Sequence, residues 1–268
     1  MAASALSIAL VSVVGGVCSS ALAQNVQLQV TVENLAPTNG VTFAPLRVGF
    51  HSGVFDAFDN GSVAPLLGES DVSTAPIVTI AEGGSGSSWF PAFEAADPTA
   101  TLGSVVSDPA GPLTPGAVAT ATFNIDTDLN QFFTFAAMVV PSNDLFIGND
   151  DPQGFRLFDD AGNLLISEIT QTGAQIWDAG SEVADPSAGA FVVGGDNALR
   201  TNENGVVSFE FSELGAFDGV ETPAGYFFDA GTVTGSSEIY RISFAVVPAP
   251  AGAGVLAMGG LVAMRRRR

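Results

Sequence analysis

No lysine occurs anywhere in this chain, and it holds one cysteine and one histidine. Without lysine there is neither a Schiff-base nucleophile nor a phosphate-binding P-loop. The cysteine, Cys18, falls in the N-terminal leader described below. The folded part can therefore build no disulfide framework and carries no thiolate nucleophile. His51 stands in Gly49-Phe50-His51-Ser52-Gly53. A general base needs an orienting group and a nucleophile within hydrogen-bond reach, and a lone histidine beside an aromatic at a strand end reads as structural. Neither the dinucleotide motif nor a zinc motif appears. Paired carboxylates can cut glycosidic bonds, but 28 acidic residues make such pairs inevitable by chance. An enzyme is not the expectation.

Positive charge is scarce too. Eight arginines face 28 acids for a net charge of −20, and four of the arginines are the terminal Arg265–Arg268. Only Arg47, Arg156, Arg200 and Arg241 remain for the folded part. Such a surface repels nucleic acid and anionic lipid, favours cations or basic partners, and keeps an extracellular protein soluble.

What the chain does have is apolar material, 47% of residues with 20 phenylalanines. At 268 residues this supports one large all-β domain or two small ones. Residues 1–23 read as a secretory signal: Ile8–Val17 is apolar and Ala21-Leu22-Ala23 is a small-x-small cleavage site, with Ala21 and Ala23 as the small residues. Residues 24–246 form the expected domain. Residues 247–268 change character, with Val247-Pro248-Ala249-Pro250, an apolar small-residue stretch to Met264, and then Arg265, Arg266, Arg267 and Arg268. This tail resembles the sorting tails of bacterial exosortase (PEP-CTERM-like) substrates, with Pro248 and Pro250 in the motif and Ala249 in place of the usual glutamate. Leader and tail together predict a secreted or cell-surface protein, in contact with membrane only through the C-terminal segment.

Within the domain, period-two alternation marks Val26–Glu33 and Ala117–Asp126 as strands. Val41–Phe50 is a strand interrupted by Pro45. Phe55–Gly68 has room for a helical turn, Glu69–Gly86 ends in linker chemistry, and Trp89–Phe93 is an aromatic core plug. Asp126-Thr127-Asp128-Leu129-Asn130 imitates the opening of an EF-hand loop, but Gln131 and Ala137 stand where glycine and glutamate are needed, so it reads as a polar hairpin turn. Phe155–Phe158 and Leu164–Ile169 suggest a hairpin; Val206–Phe211 and Ile239–Val246 are the last strands. The organising stretch is Phe132–Asp151. Its apolar run suits a strand buried on both faces, Pro141-Ser142-Asn143 should end it, and Leu145-Phe146-Ile147 leads on to Gly148-Asn149-Asp150-Asp151. Oxygen ligands crowded on such a loop suit a hard cation.

Met138–Asp150 (MVVPSNDLFIGND) resembles the central motif of the spondin N-terminal domain family. In the same order follow or precede Phe43-Ala44-Pro45-Leu46 with His51, Ala110–Phe123, Trp177-Asp178-Ala179-Gly180 with Glu182, and Ile239–Val246. The similarity spans Val26 to Val246, although animal members carry cysteines that this chain lacks. The resemblance implies an antiparallel, C2-like β-sandwich with long loops and a cation, Ca2+, at one end. By motif position the metal candidates are Asp150 and Asp144, to which proximity adds Asp151; Asp178 and Glu182 lie in a loop able to close the same end. It also implies a binding or adhesion module of extracellular matrix or biofilm, whose partner is a surface polysaccharide or protein. The rival expectations are a surface polysaccharide hydrolase, favoured by two carboxylates facing each other in a groove lined by Trp89 or Trp177, and a purely structural envelope protein.

Overall fold

A computed structural model describes residues 25–64 and 75–248. The leader, with Ala21 and Ala23, and the tail from Ala249, with Pro250 and Arg265–Arg268, lie outside the described residues. The strands are β1 (Asn25–Asn34), β2 (Thr42–Phe43), β3 (Leu46–His51), β4 (Thr101–Val105), β5 (Val118–Asp126) and β6 (Phe132–Val140). They continue with β7 (Leu145–Gly148), β8 (Glu168–Thr172), β9 (Trp177–Asp178), β10 (Ser208–Phe209) and β11 (Glu238–Val247). Two short helices, α1 (Pro76–Gly83) and α2 (Trp89–Ala96), stand between β3 and β4.

All strand pairs are antiparallel and fall into two sheets. One runs β5-β1-β11-β8; the other runs β10-β9-β7-β6-β3-β4, with β2 also pairing β6. The fold is an all-β sandwich. Leu28, Val30 and Val32 of β1, Ile239, Ile242 and Phe244 of β11, and Phe133, Phe135, Ala137 and Val139 of β6 share one core between the sheets. Alternation along β1 therefore has its expected cause, one face on this core and the other outward.

β6 is buried from Phe133 to Val140 because it is covered on both faces. The side away from β1 carries a second core, built by Phe55, Phe58, Trp89 and Phe93 with Phe146 and Trp177 of the large sheet. Trp89–Phe93 is a plug, as its composition predicts, but it is delivered by a helix. Its seat is Gly49 on β3, where a methyl group would lie 1.5 Å from Phe93 Cε1. Phe55, Trp89 and His51 hold that ring from the other sides, so it cannot step away. Gly49→Ala is therefore expected to cost about 1–3 kcal/mol by overpacking, measurable by urea unfolding; an unchanged midpoint would mean that the plug is loosely seated.

Several sequence expectations need correction. Ahead of the Gly- and Ser-rich end of Glu69–Gly86 stands an unforeseen helix: α1 starts with Pro76 at its first position and is closed by Gly84 in the left-handed conformation, φ 60°. Asp126–Asn130 is a polar turn, with Leu129 N and Asn130 N donating to Asp126 O, but it is no hairpin, because β5 and β6 belong to opposite sheets. The Phe155–Ile169 hairpin reduces to a Phe158–Leu164 bridge around the Asp159–Asn163 turn, with regular pairing starting only at Glu168. Val206–Phe211 contributes only Ser208–Phe209 as strand before a 3-10 turn over Phe211–Phe217. The last strand pairs through Val247, opposite Gln27, so the domain extends past 246 and the exposed Pro248 is the first residue after it.

Candidate metal centre

β6 stops at Val140 and the chain turns through Pro141-Ser142-Asn143-Asp144 into β7. Ser142 closes the turn on its own backbone, its Oγ donating to Val139 O at 2.6 Å and accepting from Leu145 N at 3.1 Å. Asn143 instead reaches across to the loop after β9, accepting from Asp185 N at 2.9 Å and donating to Glu182 Oε2 at 3.2 Å. Sheet register then fixes the chemistry. β7 pairs β9 with Leu145 opposite Asp178, so Asp144 and Asp178 become neighbours.

Asp144 is 1% exposed. Its Oδ2 accepts three hydrogen bonds, from Ser181 N at 2.8 Å, Ser181 Oγ at 2.8 Å and Glu182 N at 2.9 Å. The Asp178-Ala179-Gly180-Ser181-Glu182 segment wraps around this oxygen. The wrap needs Gly180, which sits at φ +64° with a would-be Cβ 2.7 Å from the backbone of Gly205 and Val206. Asp144 Oδ1 is buried and meets no N–H or hydroxyl donor; its neighbour is the Asp178 carboxyl. Carboxylate oxygens of Asp144, Asp178 and Glu213 lie within 4.8 Å of one another. Asp178 and Glu213 line a cavity of about 580 Å³, together with Glu203, Glu210, Ser208 and Ser212, and Asp144 sits behind them.

The electrostatics follow from crowding like charges away from water. Burial, and then the Asp144 charge, push Asp178 up to about 8 and Glu213 up to about 7. Burial raises Asp144 itself, and burial with Asp144 beside it raises Glu203. The arginine of this region, Arg200, is committed elsewhere, bridging Glu182 and Glu82 at 3.0 Å each. Two arrangements can satisfy Asp144 Oδ1: a proton shared with Asp178, or a cation among the three carboxylates. The donors fit calcium. Hard oxygen ligands at 2.3–2.6 Å stand at most about 5 Å apart across the ion, which the 4.8 Å cluster matches. Bidentate carboxylates and water can complete the shell of six to eight oxygens that calcium takes.

The sequence candidates divide. Asp144 and Asp178 meet in this centre, but Asp150 does not join them. It lies beyond the other end of β7, clustered with Asp56 and Asp59, where burial, and then Asp59 and Asp151, raise it. Asp151 is in neither cluster; it is exposed and accepts from Gln153 N at 2.7 Å, which is turn chemistry. Glu182 is buried and paired to Arg200 and Asn143, outside the carboxylate trio. Sequence reasoning missed Glu213, Glu203, Asp56 and Asp59. No motif flags the two glutamates, because a loop and a 3-10 turn far along the chain bring them in.

His51 is structural in its contacts. It is fully buried, with Nδ1 accepting from Gly53 N at 3.0 Å, which leaves Nε2 to donate to Thr134 Oγ1 at 2.9 Å. Burial lowers its pKa to about 4, against a smaller raising effect of Asp97. Between pH 6.5 and about 4 the unfolded chain binds a proton that the folded one refuses, so this contribution to stability is complete above pH 6.5 and lost as pH falls to 4. The stability difference between wild type and His51→Gln should shrink by roughly 3 kcal/mol from pH 7 to pH 4. A difference independent of pH in paired urea titrations would refute this assignment.

No protein-family model matches the chain, and no curated protein matches it either.

Proposed function

We propose that the protein is a secreted or cell-surface binding and adhesion module, of the spondin N-terminal type, whose ligand-facing end is organised by calcium. One observation carries the reading. The buried Asp144 carboxylate, with one oxygen anchoring the Asp178–Glu182 loop and the other met only by the Asp178 carboxyl, stands with Asp178 and Glu213 beside an acidic cavity. The spondin-like motifs support it, since Met138–Asp150 and Trp177–Glu182 supply the two segments that meet there. The partner would be an extracellular matrix component, a surface polysaccharide or a protein, held at the loop end where the cation neutralises the acidic surface.

The hydrolase reading gains less. Trp89 and Trp177 are buried in the second core, Trp177 donating its indole N–H to Gly148 O at 3.1 Å. Arrays of polysaccharides and matrix proteins, probed with the full chain in millimolar calcium and in chelator, test the proposal. Calcium-dependent retention without release of reducing ends is the expected result. Turnover of a retained polysaccharide would establish the hydrolase instead, and retention indifferent to calcium would remove the metal from the account.

A further inference from the structure

A second cavity, of about 330 Å³, shares no lining residue with the acidic one. Its wall is almost wholly apolar, with Ala44, Pro45, Val140, Phe191 and Pro223 prominent. One charged group lines it, Arg47. The setting of that guanidinium is unusual for this chain. Arg156, Arg200 and Arg241 each have at least one carboxylate partner, as the excess of acids makes easy. Arg47 has none among the described residues. Its Nε and Nη2 donate to Gly84 O, the left-handed residue closing α1, and its Nη1 donates to Ser104 Oγ at 2.7 Å. Those bonds hold the plane of the guanidinium, with Ser104 fixed by its register opposite Arg47. They use three of the five N–H groups that an arginine carries. What remains is a pinned, half-buried, uncompensated positive charge on the wall of an apolar cavity, in a protein of net charge −20.

We propose that this cavity is a binding site for a small monocarboxylic acid with an apolar body, its carboxylate received by Arg47 and its body packed against Phe191, Val140 and Pro45. The volume sits at the small end of the range for ligand pockets, about 300–1,000 Å³. Apolar walls with one convergent polar group are the usual composition of such sites. The charge pattern selects the sign: a cation or a neutral apolar molecule would leave the guanidinium without a counterion. A carboxylate can take two parallel N–H bonds from it.

Titration calorimetry of the full chain tests this with octanoate and its neutral counterpart 1-octanol, at 0.15 M salt, where the Debye length of about 8 Å screens the remote acidic surface. Octanoate should bind saturably with one-to-one stoichiometry, and 1-octanol about tenfold or more weakly, the difference expected for losing a charge-assisted pair. Arg47→Gln should bring octanoate down to the octanol level. Phe191→Ala, at an exposed position that the fold tolerates, should weaken both ligands together. Equal affinity for acid and alcohol in the wild type would overturn the proposal without reliance on any variant, as would absence of octanoate binding up to millimolar concentration.

Discussion

Asp144→Ala is expected to destabilise the protein by about 3–4 kcal/mol, because three donors, Ser181 N, Ser181 Oγ and Glu182 N, lose their acceptor in a site closed to water. The loop they hold also carries Asp178, so the acidic cavity should lose its shape along with the calcium response. Asp144→Asn separates the two effects. The amide oxygen can still accept from Ser181 and Glu182, while its NH2 faces the carboxylates of Asp178 and Glu213 and replaces repulsion with hydrogen bonds. In chelator the Asn variant should lie within about 1 kcal/mol of wild type; in calcium it should show no gain. Chemical denaturation in both conditions reads the difference. An Asn variant that kept the full calcium response would move the metal elsewhere, and the Asp56-Asp59-Asp150 cluster would be the place to look.

Phe93→Ala is the second large effect, expected at about 3–5 kcal/mol. The ring is fully buried, 3.9 Å centroid to centroid from Phe55 and 4.9 Å from Trp89, and it stands on Gly49. No neighbouring side chain can slide into its place, since β3 presents a glycine below and His51 beside it is tied to Thr134. The second core is thus held by one keystone ring from a two-turn helix. Phe93→Leu, which refills part of the volume, should recover a good part of the loss. A cost below about 1 kcal/mol for the alanine variant would show that the plug region collapses easily and does not organise the outer face of the sheet.

The sandwich was legible in the sequence wherever one face meets core and the other water. β1, β5 and β11 announce themselves by alternation or by a run of β-branched and aromatic residues, and Pro45 marks the break between β2 and β3. α1 was hidden because Ile77, Val78, Thr79 and Ile80 carry a strand-like composition, although Pro76 and Gly84 supplied the ordinary start and stop signals. The Asp126–Asn130 turn reads the same whether the chain folds back or crosses to the other sheet; only long-range pairing decides.

Half of the candidate carboxylate centre was legible for a related reason. Asp144 and Asp178 are joined by strand register, and each stands in a recognisable segment. The four residues of β7 carry Asp150, chosen by motif position, away from Asp144 and into a separate carboxylate cluster with Asp56 and Asp59, while Asp151, added by proximity, joins neither. Glu213 has no local signature at all. It arrives on a 3-10 turn, Phe211–Phe217, that starts where the expected strand Val206–Phe211 ends.

The most direct test of the account is the melting temperature of the full chain in excess calcium and in excess chelator. A cation bound only by the folded state adds about 2.7 kcal/mol at a hundred times its dissociation constant, which for a domain of this size is about 5–10 °C. The account predicts a rise that grows with calcium concentration, disappears in Asp178→Asn, and survives in Asp150→Ala. The same melting temperature in both conditions would contradict it, leaving Asp144 and Asp178 as a carboxyl pair joined by a proton.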